Sequence, residues 1–164
     1  MSNVAGFHHA AIVVPDLDRA VRFYAGLAGY EKVREAQWDR ESVFNQIIGL
    51  SGSSARFCLL QGPGGYLELF EYRQPQSTTD PALLNASDYG IRHLCFQVQD
   101  VDRALAQVIA LGGAKMNDPV TNELGITCVY CRDPFGNLLE LIRPAGGFPC
   151  IEGGLILNRS GRHV

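Results

Sequence analysis

His9 and His93 lie 84 positions apart, and much of the chain after each of them repeats at the same distance. Val14 falls on Val98, Asp16 on Asp100, Asp18 on Asp102, Arg19 on Arg103 and Ala20 on Ala104. Leu27 and Gly29 then fall on Leu111 and Gly113, and a second echo at 72 positions sets Leu67-Glu68-Leu69 on Leu139-Glu140-Leu141. Each half of the chain thus carries one His and one Glu at matching places. Imidazole nitrogens and carboxylate oxygens are ordinary ligands of divalent ions, and two copies supply four donors to one ion. Two equivalent pairs related by a repeat would meet around a pseudo-two-fold axis. The pattern therefore points to a pseudo-symmetric metal site at His9, Glu68, His93 and Glu140. His8 precedes His9, but only His9 keeps the distance to Asp16 that His93 keeps to Asp100.

Strands and helices must position these donors. Phe7–Val14 reads as a strand closed by Pro15-Asp16, and Asp16 is a good N-cap for a helix. Leu17, Ala20, Val21 and Tyr24 follow the spacing of one helix face, with Gly26 and Gly29 marking the helix end and the turn. The second half repeats the plan. Strand Ile91–Val98 leads to the cap Asp100, then to the face Val101, Ala104, Leu105 and Val108, with Gly112-Gly113 as the stop. Further strands are expected at Glu31–Gln37, Val43–Ile48, Arg56–Gln61 and Tyr66–Tyr72, and then at Ala114–Met116, Ile126–Arg132 and Asn137–Ile142. The segment 38–54 is longer than its counterpart, so the halves differ most there. Residues 73–89 read as a linker, and the tail from Ala145, with Gly146-Gly147 and Gly153-Gly154, reads as an arm or a docking segment.

Side-chain alternation along strands places His9 with Ala11 and Val13, and His93 with Cys95 and Gln97. Tyr66, Glu68 and Phe70 share a face opposite Leu67 and Leu69, and Leu138, Glu140 and Ile142 share one opposite Leu139 and Leu141. All four candidate ligands face away from the aliphatic side, and they converge only if the sheet curls around a cavity.

The 164 residues suit one domain, with module one over about 5–75, module two over about 88–144 and the tail at 145–164. A net charge of −3 leaves no basic footprint for nucleic acid or a membrane surface. No apolar run approaches the roughly 18–20 residues of a membrane span, and Met1 to Gly6 lacks the features of a signal peptide. These features lead to the expectation of a cytoplasmic protein. Five irregularly spaced cysteines do not suggest a disulfide framework. Cys128 and Cys131 match a C-x-x-C spacing, but within a strand they point to opposite faces, which favours core packing over zinc or redox chemistry.

The stretches His9-Ala-Ala-Ile-Val-Val-Pro-Asp16, His93-Leu-Cys-Phe-Gln-Val-Gln-Asp100 and Asp133-Pro-Phe-Gly-Asn-Leu-Leu-Glu140-Leu resemble the vicinal oxygen chelate superfamily. That group includes lactoylglutathione lyase, methylmalonyl-CoA epimerase, extradiol dioxygenases and bleomycin-resistance proteins. The resemblance covers residues 7–144. It implies an α+β fold of two paired βαβββ modules whose curled mixed sheets enclose a metal-binding cavity, often in a homodimer. By match to the motif, it places the metal at His9, Glu68, His93 and Glu140. Two His and two Glu form the set of the lyase and epimerase branches, which suits Zn, Ni, Co or Mn. An Fe(II) dioxygenase would use His9, His93 and Glu140 with a non-ligand where Glu68 stands. Resistance proteins that sequester an antibiotic or toxin generally lack the metal residues.

In the lyase and epimerase reading, the ion acts as a Lewis acid on a small oxygenated substrate, and a carboxylate removes the proton beside its chelated carbonyl. Glu140 is the first choice for that base, with Glu68 as its symmetry mate. Tyr66, Phe70, Cys95 and Ile142 would make a mostly apolar wall, and Gln97 would add one hydrogen-bonding group. Arg56, Arg132 and Arg143 are candidates to neutralise a substrate carboxylate or phosphate.

Overall fold

Asp16 and Asp100 each end a strand and open a helix, accepting hydrogen bonds at 2.9 Å from the backbone N–H of Arg19 and of Arg103. The computed structural model describes residues 3–151, and from these caps it builds the same plan twice. In the first half, strand β1 (His9–Val13) leads into helix α1 (Leu17–Ala28). Strands β2 (Glu31–Trp38), β3 (Ser54–Gly62) and β4 (Gly65–Gln74) come next, with the short helix α2 (Phe44–Ile48) between β2 and β3. In the second half, β5 (His93–Gln97) leads into α3 (Val101–Ala110). Then come β6 (Ala114–Lys115), β7 (Val120–Thr121), β8 (Thr127–Arg132) and β9 (Leu138–Arg143). Met1, Ser2 and the tail from residue 152, including Gly153-Gly154, lie outside the described residues.

The first sheet has the order β1-β4-β3-β2 and the second β5-β9-β8-β6, with β7 alongside β8. In both, the opening strand pairs parallel to the closing strand, and the remaining pairs are antiparallel. This is the mixed-sheet βαβββ pattern expected from the sequence, with β7 added. The chain divides into two compact units. Among the described residues, one gathers residues 3–21 with Gly29–Ser77, and the other gathers Arg22–Ala28 with residues 78–151.

The aliphatic faces are buried as alternation requires. Leu67 and Leu69 are at most 2% exposed, and Leu139 and Leu141 are fully buried. Burial of each such side chain contributes about 1.5–3 kcal/mol. On α3 the buried residues are Val101, Ala104, Leu105 and Val108, the face read from the sequence. On α1 they are Leu17, Ala20, Phe23 and Tyr24, with Phe23 in place of Val21. Cys131 is buried and Cys128 half-buried in β8, and burial pushes the Cys131 thiol up to about 11.

Three expectations need correction. Gly26 does not end α1; it lies inside it, where a Cβ would stand 3.0 Å from the Leu111 side chain, so the glycine permits close packing. The helix stops instead at Gly29, which has φ +67°. Val43–Ile48 is not a strand. Ser42 Oγ accepts from Phe44 N–H, the chain turns, and Gly49 at φ +68° closes helix α2. Finally, β4 runs on to Gln74, so Arg73 and Gln74 belong to the strand rather than to a linker.

The Asp133-Pro-Phe-Gly-Asn signature is a structural turn. Asp133 is 2% exposed, and its carboxylate accepts from Phe135 N–H, Asn137 N–H, Asn137 Nδ2 and Tyr24 Oη, all at 2.8–2.9 Å. Gly136, at φ +90°, comes so close to Ala82 that a Cβ would lie 2.6 Å from its backbone nitrogen. Replacing Asp133 strands four donors. Asp133→Ala is therefore expected to lower unfolding free energy by at least about 3 kcal/mol. A free energy of unfolding from urea titration within about 1 kcal/mol of the parent would contradict that role.

Candidate metal centre

His9 opens β1 and pairs in register with Tyr66, while Ala11 pairs with Glu68. Their side chains lean together, so that His9 Nε2 stands 3.3 Å from Glu68 Oε2. The second unit repeats the arrangement. There His93 pairs with Leu138 and Cys95 with Glu140, and His93 Nε2 stands 3.2 Å from Glu140 Oε2. The side chains of both His are about one-third exposed, and those of both Glu under one-fifth, so each pair is partly shielded yet open on one side.

The donors within each pair fit a shared ion. Ligands about 2.1 Å from a divalent ion stand roughly 3.0 Å apart at a right angle and 3.4 Å apart at a tetrahedral one. The observed 3.2 and 3.3 Å fall between these values. The four residues are present as two His–Glu pairs, one in each unit. Among the described residues, no three His, Cys, Asp or Glu side chains gather as a ready metal cluster.

The surroundings of the two glutamates differ. Glu140 lies between Cys95 on β5 and Tyr130 on β8, both direct cross-strand neighbours. Cys95 keeps a solvent-exposed edge, yet burial of its sulfur, then the charge of Glu140, pushes its thiol up to about 12. The same causes, in the same order, raise the Tyr130 hydroxyl. Tyr130 also meets the His93 ring edge-on, with centroids 5.1 Å apart. Glu68 instead lies between Ala11 and Leu59, which offer no side-chain donor.

Beyond Glu68 on the same face of β4 stand Phe70 and Tyr72. They join Trp38, Phe57 and, from α2, Phe44 in an aromatic cluster. The long segment 38–54 thus delivers an aromatic side chain to the sheet face that carries Glu68. Ser53 Oγ accepts from Trp38 Nε1 at 2.9 Å and fixes the indole.

The other polar candidates are already engaged. Arg56 faces Asp18, Glu35 and Glu71, at 3.2, 3.1 and 3.7 Å. Glu71 also accepts from Leu17 N–H at 2.8 Å, so this cluster secures the start of α1. Arg132 donates to the carbonyls of Pro81, Leu84 and Gly136. Arg143 donates to Thr127 Oγ1. Gln97 exchanges two hydrogen bonds with the backbone of Ile151, and Ile142 lies half-buried beside it. Tyr66 stacks on His8. Tyr130, Trp38 and Tyr72 were not singled out in the sequence, although the hairpin turn at Asp133–Asn137 sets the 130–140 pairing by simple counting.

Comparisons with known proteins agree with this architecture. The family model described as Glyoxalase/Bleomycin resistance protein/Dioxygenase superfamily matches residues 6–141. A 2-epi-5-epi-valiolone epimerase of an Actinomyces species is 36% identical over 152 residues, which cover 87% of this chain and 81% of that protein. The lactoylglutathione lyase of Arabidopsis thaliana is 27% identical over 84% of this chain, which spans 44% of the plant protein's length. A glyoxalase family protein of Bacillus cereus superposes with a TM-score of 0.79 at 20% identity, covering 88% of this chain and 97% of that one. Repeated βαβββ units, a His–Glu pair in each, and a family model that spans both lead to one assignment: the chain belongs to the glyoxalase/bleomycin resistance/dioxygenase superfamily.

Proposed function

We propose that this protein is a divalent-metal-dependent epimerase that moves a proton at the carbon beside the carbonyl of a small, polyhydroxylated cyclic ketone. The observation that carries the proposal is the duplicated His–Glu pair, with nearly equal Nε2–Oε2 distances in the two units. His9, Glu68, His93 and Glu140 would hold the ion. When bound, a divalent ion supplies Lewis-acid polarisation of the carbonyl and stabilises the negative charge that develops on its oxygen. The epimerase relative supports that branch over the lyase, being the more similar and matched over most of its own length.

The chain's own residues account for the remaining steps. Epimerisation removes a proton from one face of a carbon and returns one to the other face. That calls for two proton-carrying groups or one that moves. Glu68 and Glu140 are two carboxylates from two repeats, one for each face. The aromatic surface of Phe70, Tyr72 and Trp38 excludes water on the Glu68 side, which strengthens a carboxylate as a base. Glu68 beside His9 also favours a four-donor set over the three-donor set of an Fe(II) dioxygenase. In this reading the protein acts as a homodimer.

The test is solvent exchange. Protein loaded with Mn, Co, Ni or Zn is incubated in D2O with a valiolone-type cyclohexanone polyol. Deuterium is expected at the carbon beside the carbonyl, with the epimer forming in step. Neither label nor epimer with any of the four ions would overturn the proposal.

A further inference from the structure

His8 lies outside the repeat, since the position 84 residues on is Arg92, whose Nε donates to the carbonyl of Asn85. His8 precedes β1, and its ring is free of the strand alternation that would turn it to the opposite face from His9. It folds back so that its Nδ1 is 2.8 Å from the Nδ1 of His9. The two rings meet edge-on, with centroids 5.0 Å apart. On its other side His8 stacks on Tyr66 at 5.0 Å with 12° between the planes, which fixes the ring. His9 is therefore held at both nitrogens, with Nε2 facing Glu68 and Nδ1 facing His8.

A contact between two ring nitrogens at this distance contains one shared proton, so one ring donates and the other accepts. For His9 to offer the Nε2 lone pair to an ion, its proton must sit on Nδ1, and His8 Nδ1 is then the acceptor. Without an ion, the Glu68 carboxylate favours a proton on His9 Nε2, and His8 donates instead. A neutral imidazole can take either part, which a carboxylate or a backbone carbonyl cannot.

We propose that His8 is a positioning residue: it fixes the ring of His9 and accepts the Nδ1–H hydrogen bond that frees Nε2 as a ligand. The ligating role of His9 rests on the function proposed above, whereas the His8–His9 hydrogen bond does not. His93 is preceded in sequence by Arg92 rather than by a histidine, and its ring is met edge-on by Tyr130 instead.

The experiment uses protein labelled with 15N histidine, in which only four His give signals. In ion-free protein, a coupling through the hydrogen bond between His8 Nδ1 and His9 Nδ1 is expected. After Zn addition, the His9 proton is expected on Nδ1. His8→Phe keeps a ring on Tyr66 but removes the acceptor, and should weaken Zn binding by about 10-fold, the low end for loss of a partner behind a ligand. His8→Asn places an amide oxygen near the lost nitrogen and should restore most of the affinity. Absence of the coupling, or equal affinities of the Phe and Asn variants, would overturn the proposal. If wild-type protein binds no ion at all, the functional reading fails, and the coupling in ion-free protein alone decides whether His8 positions His9.

Discussion

Glu140→Gln is expected to lower turnover per bound ion by at least about 10²-fold, the usual scale for loss of a general base, and Glu68→Gln by a similar factor. The two variants should differ in which epimer they still label. If each carboxylate serves one face of the substrate carbon, removing one abolishes deuterium exchange from one epimer and leaves exchange from the other. Separate incubation of each pure epimer in D2O reads this directly. The surroundings of the two residues give the comparison a physical basis. Glu140 is flanked by the donors Cys95 and Tyr130, whereas Glu68 lies between Ala11 and Leu59. A carboxylate tethered by neighbours moves less than one without them. If one variant loses exchange from both epimers and the other from neither, a single base serves both faces.

Loss of bound ion is the second large effect. A partner behind a ligand commonly accounts for 10–100-fold in metal affinity, so removal of a ligand itself should exceed that range. His9→Ala and His93→Ala are each expected to weaken binding by more than about 10²-fold. Protein purified without a tag or chelator is the material to assay, by elemental analysis and by competition with a chelator of known affinity. Wild-type protein should hold about one Ni, Co, Zn or Mn per His–Glu set of four. Glu68→Ala separates the two enzyme readings. Loss of the ion supports the four-donor site, whereas iron that survives the change supports a ring-cleaving dioxygenase.

The fold was legible because duplication writes its pattern twice. An Asp cap after each strand, one helix face in each half and alternating Leu-Glu-Leu strands are all local signals, and each appears where local physics puts it. Both His–Glu pairs were legible for the same reason. The departures lie where the partner is distant or the segment short. Five residues from Phe44 to Ile48 are apolar and branched enough to suit a strand, but no neighbouring strand pairs with them and Ser42 and Gly49 close a helical turn instead. Gly26 looks like a helix stop because the Leu111 side chain that requires it stands 85 residues away in sequence. Arg56 and Arg132 look available for a substrate because a sequence does not show the carboxylates and carbonyls that engage them. His8 was set aside by the repeat, and only the turn of the chain ahead of β1 reveals its contact with His9.

The division of α1 between the two compact units bears on how such a protein can be taken apart. The sequence repeat suggests a cut near the linker, giving two fragments of similar plan. Yet Arg22–Ala28 belongs with the second unit, where Phe23 and Tyr24 are buried and the Tyr24 hydroxyl completes the shell around Asp133. A fragment starting at Thr78 would lack those two rings and leave one Asp133 oxygen short of a donor. The repeated unit and the compact unit are therefore offset by half a helix. Co-expressed halves should recover the native state only by rebuilding that exchange, much as split proteins reassemble around a shared segment.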